Sequence, residues 1–497
     1  MERDWRDERI EELEADVGHY KAVVAARDEV IAERDRVIDE LMAKVVQLTA
    51  RVAKLEEQLR KSSRNSSKPP SSDAPTAAGR PKKPPTGRKA GGQPGHEQHE
   101  RELVAPEKVS KIVACIPKEC EDCGKALRGK DPAPHRHQVF ELPKVEPEVT
   151  EYQQHSLGCD CGHTTRGKLP NGVPTGAFGP GVVAVVAVMM GVYRLSKRMV
   201  SCLMVDLFGL RMSLGAVVGC QQQASDAIAR PVEDAKKYVV EQPVKHADET
   251  SWREGVRRSR AWLWAVATSK VVVFMVHARR NTDAARALLV RVAGVLISDR
   301  HGAYSWWPDR LRQLCWAHIR RDVQAIIDRG GQSAVIGRGL LEETDRMFHW
   351  WHRVRDGTLS RASFRVYMRS LRTRFEAGLT LGTLGDHPKT AKTCANLLKH
   401  ADALWTFVRV DEVEPTNNSA EQVVRHGVIL RKISHGTHSE AGSRFIERIL
   451  TVHASLRRQE RNVLDFLRDA CSAHLNRHAP PSLLPMTASR VQLARAA

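Results

Sequence analysis

The sequence predicts a multidomain chain: an N-terminal coiled coil, a small cysteine-bearing unit, an α-helical unit, and an α/β domain interrupted by helices. Three observations predict it. Residues 10–59 carry an unbroken heptad pattern, five of the ten cysteines crowd into 115–161, and residues 261–298 turn to strand-forming runs. The length agrees, since 497 residues at roughly 150 per domain make about three folding units.

The charge narrows the function classes. Lys plus Arg total 78 against 59 Asp plus Glu, a net charge of +19. Such a field suits a phosphate-rich partner and has little use in a small-molecule enzyme. Hydrophobic residues make up 41%, enough for sizeable cores. The charged opening segment is no secretory signal, and the longest apolar run, 181–193, falls short of the roughly 20 residues of a membrane span. A cytoplasmic location is expected.

In the first segment (1–60), positions 10, 13, 17, 20, 24, 27, 31, 34, 38, 41, 45, 48, 52, 55 and 59 follow 3–4 spacing. Thirteen are Ile, Val, Leu or Tyr, the exceptions being Arg27 and Arg34. The a series from Ile10 to Val52 is β-branched and the apolar d positions are Leu apart from Tyr20, a combination that favours a parallel dimer. The two arginines leave higher-order or mixed pairing open, and one long helix packed on its own protein is the bland alternative.

Segment 61–105 is expected to be a disordered basic linker. Residues 60–99 hold nine Lys or Arg against two acids, much Ser, Pro and Gly, and almost no large apolar side chain. Arg64, Lys68, Lys82, Lys83, Arg88 and Lys89 are candidates to run along a nucleic-acid backbone by counterion release. A solvated tether is the plainer reading.

In 106–172, Cys120-Glu-Asp-Cys123 and Cys159-Asp-Cys161 stand 35 residues apart. Four thiolates in a chain without a secretory signal read as a tetrahedral Zn²⁺ site that holds together a unit too small to hold itself. The second pair is one residue tight, so Cys115, His155 or His163 are substitutes for one sulfur. The alternation at Val139, Leu142 and Val149 predicts a hairpin between the pairs. Segment 173–240 reads as helical: 181–190 is apolar all round, and 196–208 and 213–228 are amphipathic about a turn near Gly209. That arrangement permits a DNA-reading helix-turn-helix.

The chemistry lies beyond residue 240. Residues 261–268 and 271–276 predict an antiparallel pair, 282–291 a helix and 295–298 a short strand ending at Asp299. With a weak first strand at 244–248, this is the opening of a ribonuclease-H-like α/β fold. Asp248 and Asp299 each sit where a strand is expected to meet a loop, and such carboxylates share divalent ions in phosphoryl transfer. Hard oxygen ligands select Mg²⁺ or Mn²⁺. Glu421 is the third candidate, at a loop-to-helix junction where Arg425 and Lys432 share its helix face, with Arg431 beside them. A capping box formed by Asn418 and Glu421 is the structural alternative.

The stretches HADETSW, WLWAVAT, LISDRHGAY, RQLCWAHIRRD, EPTNNSAEQVVR and RKISHGTHSEAGSRFIERILTVHASLRRQERNVLDFL resemble those of the insertion-sequence-66 family of bacterial transposases. So do RNSSKPPSSD and GGQPGHE in the linker, and the likeness runs in order from about residue 60 to 470. The resemblance implies a DDE catalytic domain with Asp248, Asp299 and Glu421 as its acids, DNA as partner, a nucleoid-associated location and small companion proteins of the same element. Two departures are Glu421-Gln422, where the family carries Glu-Arg, and the Cys-x-Cys spacing.

Between Asp299 and Glu421 lie 121 residues, so the catalytic domain (241–330 and 411–475) is expected to carry a helical insertion at 331–410 and a tail at 476–497. Trp350, Trp351 and Trp405 in the insertion are candidates to stack on a displaced base, with core packing as the plainer reading. His318 reads as a structural histidine at a strand-to-helix turn, or else as a contact to a phosphate or a metal-bound water. The expected function is metal-dependent cleavage at element ends and transfer of the 3′-hydroxyl into target DNA. The rivals are an inactive DNA-binding relic and a structure-selective nuclease.

Overall fold

The computed structural model describes residues 5–66 and 101–485. Helix α1 (Trp5–Arg60) is continuous over 56 residues, about 84 Å at 1.5 Å per residue. Its heptad seam is bare: Ile10, Val17, Ile31, Leu41, Val45 and Leu55 are all exposed. The helix is therefore not laid lengthwise on its own protein. Near its end Lys389 pairs with Glu57, and Asn65 Nδ2 donates to Asp328 Oδ2 at 2.8 Å. The linker residues Lys68, Lys82, Lys83, Arg88 and Lys89 lie outside the described residues, whereas Arg64 is exposed just after α1.

The segment that follows is open and short of regular structure. Its strands, β1 (Ser156–Gly158) and β2 (Thr164–Arg166), pair antiparallel around the second cysteine pair. The hairpin expected between the two pairs is not formed, and Val139, Leu142 and Val149 are each more than 80% exposed. Three isolated apolar side chains cannot bury enough surface to hold a separate sheet.

Four helices come next: α2 (Pro180–Gly191), α3 (Lys197–Phe208), α4 (Leu214–Ala227) and α5 (Ala229–Glu241). Ser196 and Ser213 cap α3 and α4 by accepting from Met199 N and Ala216 N, and Gly209 ends α3 at φ 64°. The anticipated helix–turn–helix is thus present as local structure. It does not stand apart, because Val183, Val186, Val217 and Val232 share one hydrophobic core with Trp252, Leu263 and Phe274 of the sheet.

The sheet comprises β3 (Val244–Glu254), β4 (Ser259–Ala267), β5 (Val272–His277), β6 (Val295–Ser298) and β7 (Arg312–Leu314), with α6 (Thr282–Leu289) before β6. The spatial order is β5-β4-β3-β6-β7. The first three strands are antiparallel, and β6 and β7 run parallel to β3 and to each other. The first strand is the longest rather than the weakest. As the central strand it is paired on both sides, which overrides the poor propensity of Lys245 and Asp248.

Beyond β7 run α7 (Trp316–Ile327), α8 (Gly331–Arg355), α9 (Arg361–Thr383), α10 (Pro388–Lys399) and the short α11 (Ala401–Leu404) and α12 (Thr406–Arg409). They build a second core around Trp316, Phe364, Phe375 and Trp405 against Ile297 and Leu314 of the sheet. Trp351 and Trp405 are buried in it, and Trp405 Nε1 donates to Glu376 Oε1 at 3.2 Å, so neither offers a face to a base. Trp350 is half-buried against Tyr367. The base-stacking expectation is corrected for Trp351 and Trp405: two rings so large are worth more in a core than at the surface.

The chain then returns through α13 (Asn418–Ser434), α14 (Glu440–Arg458) and α15 (Val463–Leu475). Helix α14 covers the free edge of β5. Val272 N donates to Ser455 Oγ, Phe274 N to Thr451 Oγ1 and Val276 N to Glu447 Oε1. Four residues of helix rise about 6 Å and two residues of strand about 6.8 Å, so the two repeats stay in step over three rungs. An exposed edge that would invite another strand is closed in this way. Replacing Thr451 by the isosteric Val leaves the buried Phe274 N–H without a partner. The expected cost is about 1–3 kcal/mol, read as a lowered denaturation midpoint.

Candidate active site

Asp248 lies in the middle of β3, opposite Ala265 of β4, and not at a strand end as expected. On its other side β6 pairs only as far as His246↔Ile297. Continuing that register by two residues brings Asp248 level with Asp299, just past the last residue of β6. Adjacent strands are about 4.8 Å apart, and equal steps along both keep the two side chains on one face. The two acids are close enough for the Asp299 charge to act on Asp248.

Glu421 approaches from α13, near enough for its charge to act on Asp248, but among the described residues the ligand oxygens of Asp248, Asp299 and Glu421 do not gather into one cluster. The junction is held by Asn417, which is fully buried: its Nδ2 donates to Ala247 O at 2.8 Å, and its Oδ1 lies 3.2 Å from His246 Nδ1. Its backbone N–H points at Cys315 Sγ (3.2 Å), while Trp316 N donates to Pro415 O. Asn417 is the residue before the helix, Asn418 is already helical, and no side chain caps this N-terminus. The capping-box reading of Asn418 and Glu421 therefore fails. The Glu421 carboxylate instead faces Cys315 Sγ at 3.8 Å and His318 Nδ1 at 3.6 Å.

The electrostatics tie the acids together. Burial, and then the charges of Glu249, Asp299 and Glu421, hold the Asp248 carboxyl well above its ordinary value. Glu249 is also raised, by burial and by Asp299, against the opposing pull of Arg280 and Tyr304. Arg280 Nε donates to Glu249 Oε1 at 2.7 Å and its guanidinium lies 3.7 Å from Asp299 Oδ2, while the Tyr304 hydroxyl donates to Glu249. His301 N donates to Asp299 Oδ1 at 2.9 Å, and the buried Arg312 donates to Asp299 O at 2.7 Å. The repelling carboxylates of Asp248 and Asp299 offer oxygen donors that suit a hard divalent cation, whereas Glu421 stands beside a sulfur and an imidazole.

Residues 175–444 match the model of the Transposase IS66 family, a span that contains Asp248, Asp299 and Glu421 and covers more than half of the chain. The chain belongs to the IS66 family of transposases. A family of unknown function matches residues 4–102. None of the curated proteins matches the chain.

Other expected residues of this transposase fall in different places. Arg425 and Lys432 are exposed on α13, but Arg431 is engaged, donating to Ser251 O at 2.6 Å and to the Ser251 hydroxyl. Arg431 and Lys432 line a cavity of about 940 Å³ with Arg253, Arg257, Arg258, Arg260, Trp262 and His435. The sequence does not single out Arg257 and Arg258 of the β3–β4 turn or Arg253 and Arg260 at the strand ends beside it.

Each cysteine pair makes a tight turn, with Gly124 N donating to Cys120 O and Gly162 N to Cys159 O. Backbone N–H groups of Cys123 and Asp122 at Cys120, and of Cys161 at Cys159, lower both thiols from their ordinary value, as suits metal ligands. Among the described residues, however, Cys120, Cys123, Cys159 and Cys161 do not gather into one ligand cluster. The cluster that does form is Cys315, His318 and Glu421. Glu249, Arg280, Cys315 and Asn417 went unread as site residues because their partners lie 31 to 171 positions away. No described helix is long and apolar enough to cross a membrane.

Proposed function

We propose that the chain is a DDE transposase with a ribonuclease-H-like catalytic domain, in which Asp248, Asp299 and Glu421 are the catalytic acids. The observation that carries this reading is the register of β3 and β6, which levels Asp248 with Asp299, together with Asn417, which ties the start of the Glu421 helix to the same strand. A sheet ordered β5-β4-β3-β6-β7 with only its first three strands antiparallel supports the fold assignment.

Mg²⁺ or Mn²⁺ bound by the three carboxylates would supply Lewis acidity to the scissile phosphodiester. The chain's own residues do the rest. Asn417 and the β6 register position the carboxylates, and Arg280, which bridges Glu249 and Asp299, offsets the charge of Glu249 together with the Tyr304 hydroxyl. Water cleaves the phosphodiester at the element's end and leaves a 3′-hydroxyl, which then displaces a 3′-oxygen in target DNA, one P–O bond forming as one breaks. Arg425, Lys432 and the arginines of the β3–β4 turn are placed to grip the backbone, with Arg431 as a strut that fixes the turn.

The remaining segments complete the reading. The exposed seam of α1 pairs protomers as a parallel coiled coil, and Arg64 with the basic linker adds sequence-blind DNA affinity. Cys120, Cys123, Cys159 and Cys161 would hold Zn²⁺ once the two pairs, which stand apart, are drawn together by the ion, and α3 with α4 contact the element's ends.

A duplex carrying a pre-cut terminal repeat, incubated with plasmid and Mg²⁺, is expected to be joined by the wild-type chain and not by Asp299→Asn. Hydrolysis without joining would mark a structure-selective nuclease. DNA binding with neither reaction would mark an inactive relic.

A further inference from the structure

We propose that Cys315, His318 and Glu421 form a second, sulfur-containing cation site, suited to Zn²⁺, that shares Glu421 with the acidic cluster. Cys315 is the residue preceding α7 and His318 stands in its first turn, three positions on, so both side chains meet on one face of that turn. Glu421 comes from the first turn of α13. The Sγ–Oε1 and Nδ1–Oε1 separations are 3.8 and 3.6 Å, and the three ligand atoms lie within 4.8 Å of one another. Bonds of about 2.3 Å to sulfur and about 2.0 Å to nitrogen and oxygen in a tetrahedron give edges of about 3.3–3.5 Å. The two edges to Glu421 need to contract by only about 0.3 Å each, and the Cys315–His318 edge closes from no more than 4.8 Å.

Two further observations point to a cation. His318 Nδ1 is buried with no hydrogen-bond partner among the described residues, a cost that a metal bond would remove. The backbone N–H of Asn417 points at Cys315 Sγ from 3.2 Å, where it would support a metal-bound sulfur; without a metal, burial and the Glu421 carboxylate push this thiol up to about 12, so a bound cation has to displace its proton. Sulfur, imidazole and carboxylate together select a borderline cation over Mg²⁺. On binding, the Cys315 S–H bond breaks, an S–metal bond forms and the proton leaves to the buffer. Three protein ligands leave a fourth position open to water.

The site has a regulatory consequence, which rests on the proposed function. A cation held by Cys315 and His318 draws Glu421 from the Asp248–Asp299 pair, so Zn²⁺ antagonises Mg²⁺-supported joining.

The test uses the full chain with Co²⁺ as probe. The difference spectrum between wild type and Cys315→Ala is expected to show a sulfur-to-cobalt charge-transfer band, lost on adding Zn²⁺, with the band of His318→Gln weakened about tenfold or more in Co²⁺ affinity. The Zn²⁺ level that halves joining, relative to each protein's own zinc-free rate, is expected to rise by a similar factor in His318→Gln. Wild-type and both variant spectra that superimpose at every Co²⁺ level overturn the site. Should Cys315→Ala fail to fold, His318→Gln decides alone. A band present with no joining by any protein leaves the site standing and removes the proposed function, whereas joining without the band does the reverse.

Discussion

Asp248→Asn is expected to melt at a higher temperature than the metal-free wild type while losing Mg²⁺-supported joining by on the order of 10³-fold or more. The two effects share one cause. Burial and the adjacent Glu249, Asp299 and Glu421 push the Asp248 carboxyl up, so its charge at neutral pH is a cost to the fold. The amide keeps the shape and removes the repulsion, and it also removes a ligand oxygen with full negative charge. Divalent metal should raise the wild-type midpoint by mass action and raise that of the variant less. Thermal scans with and without Mn²⁺, beside a joining assay, measure both. A variant that melts lower than wild type without metal, yet still joins DNA, would sink the reading of these acids as a charged, strained cluster.

The second large effect is acid lability. His453 and His246 are buried, and burial lowers each to about 4 from an ordinary 6.5, with His426, Arg457 and Arg194 adding to the effect at His453. A folded pKa below the unfolded one means that the unfolded chain takes up the proton first. The stability each neutral ring provides is complete above about pH 6.5 and is lost as the pH falls toward about 4. The gap corresponds to about 3 kcal/mol per histidine. Asp248, Glu249 and Glu447, held above their ordinary values by burial, act in the opposite direction over the lower part of this range. Comparison with a variant isolates one group: His453→Phe keeps a ring beside His426 and cannot titrate. Its urea midpoint should fall less than the wild-type midpoint between pH 7 and 4.5, and equal losses would show that His453 is not the sensitive group.

Legibility in the sequence followed the range of the interaction. The strand pair at 261–268 and 271–276, the helix from residue 282 and the strand 295–298 were read close to where β4, β5, α6 and β6 lie, because period and turn chemistry are set within a few neighbours. Helix α1 was equally plain, since seven heptads repeat one local rule. The strand β7 was not seen: three residues, Arg312–Leu314, carry no period, and only pairing to β6 makes them a strand. Helix α8 starts at Gly331 in a glycine-bearing stretch with little helical signal of its own, and Gly337 packs closely against Ile327 there.

At the candidate site the division is sharper. The three acids were named from local motifs and from the family resemblance, but Asp248 was put at the end of a strand that in fact continues to Glu254. Glu249 carries no signal in the sequence, and its place is set by Arg280 and Tyr304, 31 and 55 positions away. For His318 the sequence leaves a structural role beside a contact to a phosphate or a metal-bound water; its Nδ1 has no hydrogen bond among the described residues and faces Glu421.

Local chemistry written along the chain was enough to decide the helices, most of the strands, the basic character and the identity of the acidic candidates. That the charges of Asp299 and Glu421 act on Asp248, that Asn417 ties the start of the Glu421 helix to β3, and that a thiol and an imidazole stand beside Glu421 were decided only by packing. A helix or strand is specified by neighbours a few positions away, whereas a site is specified by groups a hundred or more positions apart, whose separation in space depends on every element between them.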